Sequence, residues 1–167
     1  MAEERAAQQE RQRTLRRERD ERLVEHFAGG STGEAFVRVN GVATAVFAVA
    51  TLLGAVVDHR WSRLGAAVVD LVLFAGGLVA FGVALLVGAR RSRTADMTMA
   101  GWWFLDGSAP ARVRRIMLGC IAAQTAIGLA GAAARPFTAM AFGVLVPTLG
   151  LGLTGCWGAR FGMFGSR

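Results

Sequence analysis

Four long stretches without charge constrain this chain more than any other feature. They are Val39–Val57, Leu64–Ala89, Ile116–Ala134 and Pro136–Ala159, and the only charged residue within them is Asp70. About 20 apolar residues in a helix are enough to cross the ~30 Å hydrocarbon core of a bilayer. In a soluble protein, four such helices would have no polar face to present to water. The sequence therefore predicts an all-α, integral membrane four-helix bundle built of two antiparallel hairpins.

The arginines indicate how these helices are oriented. The chain has no lysine, and 16 of its 19 basic residues lie before the first stretch, in the loop 90–115, or after the fourth stretch. The two other loops contain only Arg60, Arg63 and Arg135. Because cytoplasmic loops carry the excess of basic residues, we expect both termini and the inner loop 90–115 to be cytoplasmic, in the cell (plasma) membrane.

The net charge of +7 could suggest a nucleic-acid-binding protein. The distribution of charge argues against that class, because residues 1–28 contain seven arginines and also seven acids. The excess of positive charge lies instead in short arginine clusters beside the apolar stretches, which is typical of membrane topology. We therefore expect the lipid bilayer, and no nucleic acid, as the surroundings of this chain.

The segment before the first stretch has a different composition. Residues 2–28 contain neither Pro nor Gly and are rich in Ala, Glu, Gln and Arg. We predict that residues 1–35 form a cytoplasmic polar helix with a glycine-rich joint, followed by a four-span domain at 36–167. The helix is solvated, or it docks on a partner or forms a short coiled coil through its apolar residues Leu15, Leu23, Val24 and Phe27. The aromatic residues of the inner loop predict a segment that lies on the inner membrane surface or against a partner.

Small residues recur at every fourth position within three of the stretches. In lipid, such residues allow the backbones of two helices to approach closely. The predicted packing residues are Gly76, Ala80, Ala84 and Gly88 in the second stretch, Ala122, Ala126, Ala130 and Ala134 in the third, and Gly150, Thr154, Gly158 and Gly162 in the fourth. These faces could pack within one chain or between chains, and the spacing does not separate the two. Pro147 is expected to kink the fourth helix.

A small set of polar side chains within the spans forms a candidate intramembrane site. Its members are Asp70, Gln124 and Asn40. Two interpretations of Asp70 follow from the cost of placing a carboxylate in lipid. In the first, Asp70 braces the fold by pairing with Arg63 or Arg135, or by bonding Gln124. In the second, it handles a proton or a cation.

The sequence contains no pattern that points to an enzyme. The spans contain no paired carboxylates and no nucleophile–base–acid set, and the two cysteines are too few to hold a metal. Gly150, Gly152 and Gly155 match G-x-G-x-x-G, but a dinucleotide site also needs a preceding strand and an acid about 20 residues later. No acid follows Gly155. We expect no catalytic residue, no cofactor and no metal, and we interpret these glycines as a packing face.

Two stretches carry resemblances. The arginine-rich inner loop between two hairpins, with Arg135-Pro136 at the second turn, is similar in layout to ATP synthase protein I, a family of small membrane proteins that assist assembly of the rotary ATPase. The stretch Pro147–Arg160 resembles the tail of small actinobacterial four-span membrane proteins. We therefore expect a non-catalytic accessory or assembly subunit of a larger membrane complex, with a membrane protein partner or as a homo-oligomer. The alternative is a small oligomeric transporter or channel that uses Asp70 for proton or cation coupling.

Overall fold

The computed structural model of the chain describes residues 2–27 and 33–166, except for the side chains of residues 2–4, 6, 16 and 20. The described chain is almost entirely helical. Its α-helices are α1 (Ala2–Phe27), α2 (Glu34–Val56), α3 (Arg60–Arg91), α4 (Met99–Trp103), α5 (Ala111–Ala134) and α6 (Pro147–Phe161), and a 3₁₀ segment, Ala139–Leu145, precedes α6. Two short strands, β1 (Ala95–Asp96) and β2 (Gly165–Ser166), pair in an antiparallel manner.

Four helices are long and apolar enough to cross a membrane: α2, α3, α5, and the 3₁₀ segment together with α6. This confirms the prediction of an all-helical chain with four apolar helices. The helices extend beyond the predicted spans, since α2 and α5 each begin five residues before them. With 32 residues, α3 is about 48 Å long, so it exceeds the ~30 Å hydrocarbon core. An uncharged stretch locates the middle of such a helix, whereas its ends continue into charged residues.

The fourth apolar segment differs from the prediction of a helix over 136–159 that is kinked at Pro147. It consists of the 3₁₀ segment followed by α6, and Pro147 is the first residue of α6 rather than an internal kink. Proline has no backbone N–H and fits the first turn of a helix, where that N–H would have no partner. The Val146 N–H donates instead to Gly143 O in the tighter 3₁₀ pattern. Pro147 therefore marks a boundary between two helical types.

Helix α6 is the most enclosed of the apolar helices. Ten of its 15 residues are buried, and it packs most extensively on α3, with further contacts to α5, α4 and α2. Leu149, Leu153 and Trp157 form a core cluster with Leu105 and Met117. The core of the molecule therefore lies around α6.

The segment between α3 and α5 folds back onto α6. The Trp103 ring stacks on Phe81 of α3 at a centroid distance of 4.8 Å, and Trp102 Nε1 donates a hydrogen bond of 3.0 Å to Gly155 O. Leu105 is fully buried. The sequence predicts these aromatic residues at the membrane surface or on a partner, but most of them pack within their own chain. Phe104 is the exposed member of this group.

Among its described side chains, helix α1 contacts the rest of the chain from Arg19 onward, where the Arg19 side chain lies against Gly107. Every described side chain from Arg5 to Arg22 is exposed, whereas Leu23 is buried and the Phe27 ring lies 5.9 Å from the Trp157 ring. Of the predicted apolar stripe, Leu15 and Val24 remain exposed. Its last turns therefore dock on the end of α6, and the greater part of α1 extends into solvent.

Candidate functional site

A cluster of amide and hydroxyl groups joins α2 to α5. Gln124 Nε2 donates to Asn40 Oδ1 at 3.1 Å and to Thr44 Oγ1 at 2.8 Å. The Thr44 hydroxyl donates to Asn40 O at 2.7 Å, one turn back along α2. Asn40 and Gln124 are both fully buried. Interhelical hydrogen bonds of this kind contribute about 1 kcal/mol or less each to stability in lipid, so the cluster fastens α2 to α5.

Asp70 makes no hydrogen bond to this cluster. It is on α3 and only 1% exposed, and neither carboxylate oxygen has a hydrogen-bond partner among the described residues. Its Oδ2 faces Gly143 of the 3₁₀ segment, where a methyl group added to the glycine would lie 3.4 Å from that oxygen and 3.3 Å from the Phe47 ring. The buried carboxyl group therefore lies near the Gly143 backbone and the Phe47 ring.

The expected partners of Asp70 bind another acid. Arg63 and Arg135 both pair with the exposed Asp58, at 3.2 and 3.4 Å, and Arg135 also donates to Ala55 O. The prediction that Asp70 pairs with Arg63, Arg135 or Gln124 is therefore wrong. Helix α3 begins at Arg60 rather than at Leu64, which places Asp70 about 15 Å along the axis from the first residue of the helix. Arg63 is seven residues before Asp70, about 10.5 Å along the axis, and its side chain turns to Asp58 instead.

The buried polar atoms without a partner share one chemical character. They are the two Asp70 carboxylate oxygens, Gln124 Oε1 and Thr51 Oγ1. All four can accept a hydrogen bond, and an ionised carboxylate without a partner costs several kcal/mol in such surroundings. A proton or a cation would remove that cost. Within residues 2–27 and 33–166, no group of three or more His, Cys, Asp or Glu could hold a metal ion.

The contact between α3 and α6 uses Gly77 rather than the predicted Gly76. A methyl group on Gly77 would lie 2.6 Å from Leu149 N, whereas one on Gly76 would meet nothing closer than 3.9 Å. Of the other predicted positions, Ala80 O accepts a hydrogen bond from the Cys156 thiol, Ala84 is fully buried, and Gly88 lies against the Trp102 ring.

The geometry of a four-residue spacing explains why the prediction of Gly76 is wrong. Four residues turn a helix about 40° beyond one full turn, so Gly76 lies about 120° around α3 from Gly88. Gly77, Ala84 and Gly88 stay within a stripe about 40° wide. A strict repeat of four therefore spirals off the contact face, whereas spacings of seven and eleven follow it.

The predicted positions on α6 do not share one neighbour. Gly150 packs on Gln124 and Ile121 of α5, and Gly158 packs on the Trp102 carbonyl. The Thr154 hydroxyl donates to Gly150 O within its own helix. Gly162 lies beyond the end of α6, with an extended ψ of 138°. On α5 the alanines at 122, 126, 130 and 134 are exposed, and the buried residues are Met117, Gln124, Gly128 and Gly131.

Sequence reasoning missed two contacts that hold the end of α6. Arg91 of α3 donates from Nη1 to Ala159 O at 2.9 Å and from Nη2 to Gly162 O at 2.7 Å. The last carbonyls of a helix lack intrahelical partners, so Arg91 caps α6. Trp102 donates to a carbonyl of the same helix. Arginines at the end of an apolar stretch, such as Arg90 and Arg91, could have indicated a cap. The same pattern also indicates a cytoplasmic loop, so it does not identify Arg91 as a capping residue.

Comparison of the chain with models of known protein families, with curated proteins and with solved structures finds no match. A function for this chain therefore has to follow from the residues and geometry described above.

Proposed function

We propose that this chain is a non-catalytic multi-pass membrane protein that serves as an accessory or assembly subunit of a larger membrane complex. In this proposal the four apolar helices span the plasma membrane as two antiparallel hairpins, with both termini in the cytoplasm. The arginine distribution supports this orientation, because 16 arginines fall on the side of the termini and three on the other.

The observation that carries the proposal is the exposure of α1. The helix has 26 residues and is therefore about 39 Å long, yet its described contacts begin at Arg19 and its apolar docking residues are Leu23 and Phe27. Isolated helices gain little stability in water from propensity alone. A binding partner would stabilise the exposed part, and its interspersed arginines and glutamates suit a polar partner surface of mixed charge.

The proposal is tested by purifying the full chain from its native membrane in a mild detergent and weighing the intact assembly by native mass spectrometry. We expect foreign membrane subunits in a fixed stoichiometry. A variant that lacks residues 2–18 retains Leu23 and Phe27 and should lose or weaken that association while remaining in the membrane. Purification of the full chain as a homo-oligomer without any foreign subunit would overturn the proposal.

A second candidate function rests on Asp70. We infer that, if this chain transports, Asp70 is the coupling group, because its buried carboxyl group has no partner among the described residues. A group bonded to an arginine would be held in one charge state, whereas an unpartnered carboxyl group can take up and release a proton. Polar groups at such positions commonly mark ion or proton pathways.

This candidate is tested with Asp70→Asn in proteoliposomes, with Asp58→Asn as the control. Both changes replace an acid by its amide, but Asp58 is exposed in the turn between α2 and α3. Proton-dependent flux that Asp70→Asn abolishes and Asp58→Asn preserves would establish the transporter and refute a purely accessory role. Absence of flux in the native chain would refute the transporter.

A further inference from the structure

A groove with apolar walls and arginines at its rim opens where three helices meet. It has a volume of about 710 Å³ and lies between the end of α1, the start of α2 and the start of α5. That volume is within the range of ligand sites in proteins, roughly 300–1,000 Å³. Its apolar walls are formed by Leu23, Val24, Phe27, Val37, Val113 and Ile116.

The arginines of the groove lie where the charged segments of the chain meet the uncharged stretches. Arg38 is in the second turn of α2, and Arg112 is the second residue of α5. Ile116, one turn further along α5, begins the uncharged stretch. The groove therefore has arginines beside its apolar side chains, and on α5 the apolar wall continues one turn deeper at Ile116. A phospholipid has the same order, with a phosphate above its acyl chains.

The balance of charge favours an anionic lipid. Arg38 pairs with Glu34 at 2.9 Å, and both side chains of this pair are mostly exposed. Exposed pairs of this kind contribute little stability, so Arg38 can turn towards a phosphate. The Arg112 side chain makes no hydrogen bond or ion pair to any residue that the structure describes, whereas Arg114 and Arg115 each donate to a carbonyl. The rim thus carries two cations against one anion, and Arg115 adds positive charge in the adjoining groove.

We propose that this groove binds an anionic phospholipid, with its phosphate on Arg38 and Arg112 and its acyl chain along Phe27, Val37 and Ile116. The inference depends on the proposed function only in placing this end of the chain at a membrane surface. A lipid seated there would link α1 to the apolar helices, because α1 supplies one wall of the groove.

The test uses the purified full chain, stripped of lipid and incubated with equal amounts of phosphatidylglycerol, phosphatidylethanolamine and phosphatidylcholine of identical acyl chains. Native mass spectrometry counts the lipids retained. We expect phosphatidylglycerol to be preferred, and Arg38→Gln and Arg112→Gln each to reduce that preference about five-fold. Glu34→Gln should increase it, because it removes the anion and frees Arg38.

The matched control is Arg93→Gln, since Arg93 is exposed beyond the end of α3 and outside the groove. It should leave the preference unchanged. Equal retention of the three lipids, preference for phosphatidylethanolamine, or an equal loss in Arg93→Gln would each overturn the inference. Foreign subunits are recorded in a separate spectrum of the intact assembly, taken before lipid is stripped. Their absence, with the lipid preference intact, would refute the proposed function alone.

Discussion

Two adjacent glycines of α3 differ in what an added methyl group would meet. On Gly77, the methyl group would lie 2.6 Å from Leu149 N and 2.8 Å from Leu149 Cα, both backbone atoms of α6. On Gly76, the nearest atom is the end of the Leu149 side chain, at 3.9 Å. Gly77→Ala and Gly76→Ala therefore test the contact between α3 and α6 with the same chemical change, one residue apart.

The size of each effect follows from these distances. Ordinary contact begins at 3.4 Å, so with alanine at position 77 the α6 backbone must move by about 0.8 Å. Because α6 is enclosed by several neighbours, that movement disturbs packing on its other sides, and we expect a loss of about 1–3 kcal/mol of stability. At position 76 there is no clash. Alanine there should stabilise the helix by about 0.5–1 kcal/mol.

The assay is denaturant unfolding of the two variants and the native chain in the same mixed micelles, followed by tryptophan fluorescence and near-ultraviolet circular dichroism. Three of the four tryptophans, at positions 102, 103 and 157, contact α6 or belong to it, so their signal reports this interface. Stabilisation by Gly76→Ala and destabilisation by Gly77→Ala would support the described packing. Equal destabilisation by both would refute it and would favour the regular four-residue face as the real contact.

Two further predictions concern side-chain bonds between helices. Gln124→Leu removes two hydrogen bonds to α2 and leaves Asn40 Oδ1 without its donor. Thermal unfolding should therefore show a loss of about 1–3 kcal/mol in the free energy of unfolding. The control Thr125→Val, at an exposed position, should show almost no loss. Arg91→Gln removes the cap of α6 and should speed amide hydrogen exchange in residues 155–162. The control is Arg90→Gln, at an exposed position. Unchanged exchange in Arg91→Gln would show that the cap does not stabilise the end of α6.

The number and type of the main elements could be predicted from sequence because composition decides them. An uncharged stretch of 19 or more residues, such as Val39–Val57, leaves a helix as the way to satisfy its backbone polar groups in lipid. The first and last residues of the helices are harder to predict. Leaving out charged residues shortens the predicted α2 and α5, and Pro147 reads as a kink although it begins a helix.

The sequence indicates which polar residues lie in the spans, but not which of them bond to one another. Rarity picks out Asn40, Asp70 and Gln124, since few polar residues occur in the spans. Which of them form hydrogen bonds depends on how α2, α3 and α5 are rotated and shifted along their axes relative to one another. A hydropathy pattern does not give that rotation or shift. The structure joins Gln124 to Asn40 and leaves Asp70 without a partner among the described residues. A bracing role for Asp70 predicts that Asp70→Asn lowers thermal stability. The observed surroundings predict no loss, because the substitution removes no bond.

The G-x-G-x-x-G pattern of α6 follows from the position of that helix. Relative to Gly150, Gly152 lies about 200° around the helix and Gly155 about 140°. They accordingly meet different neighbours: Gly150 packs on Gln124 of α5, Gly152 on the α3 backbone, and Gly155 on the Trp103 ring. A helix at the edge of a molecule needs small residues on one face only, whereas a helix enclosed on most sides needs them around its circumference. Glycines at irregular spacing therefore indicate an enclosed helix, and a regular four-residue repeat is the weaker guide to which helices touch.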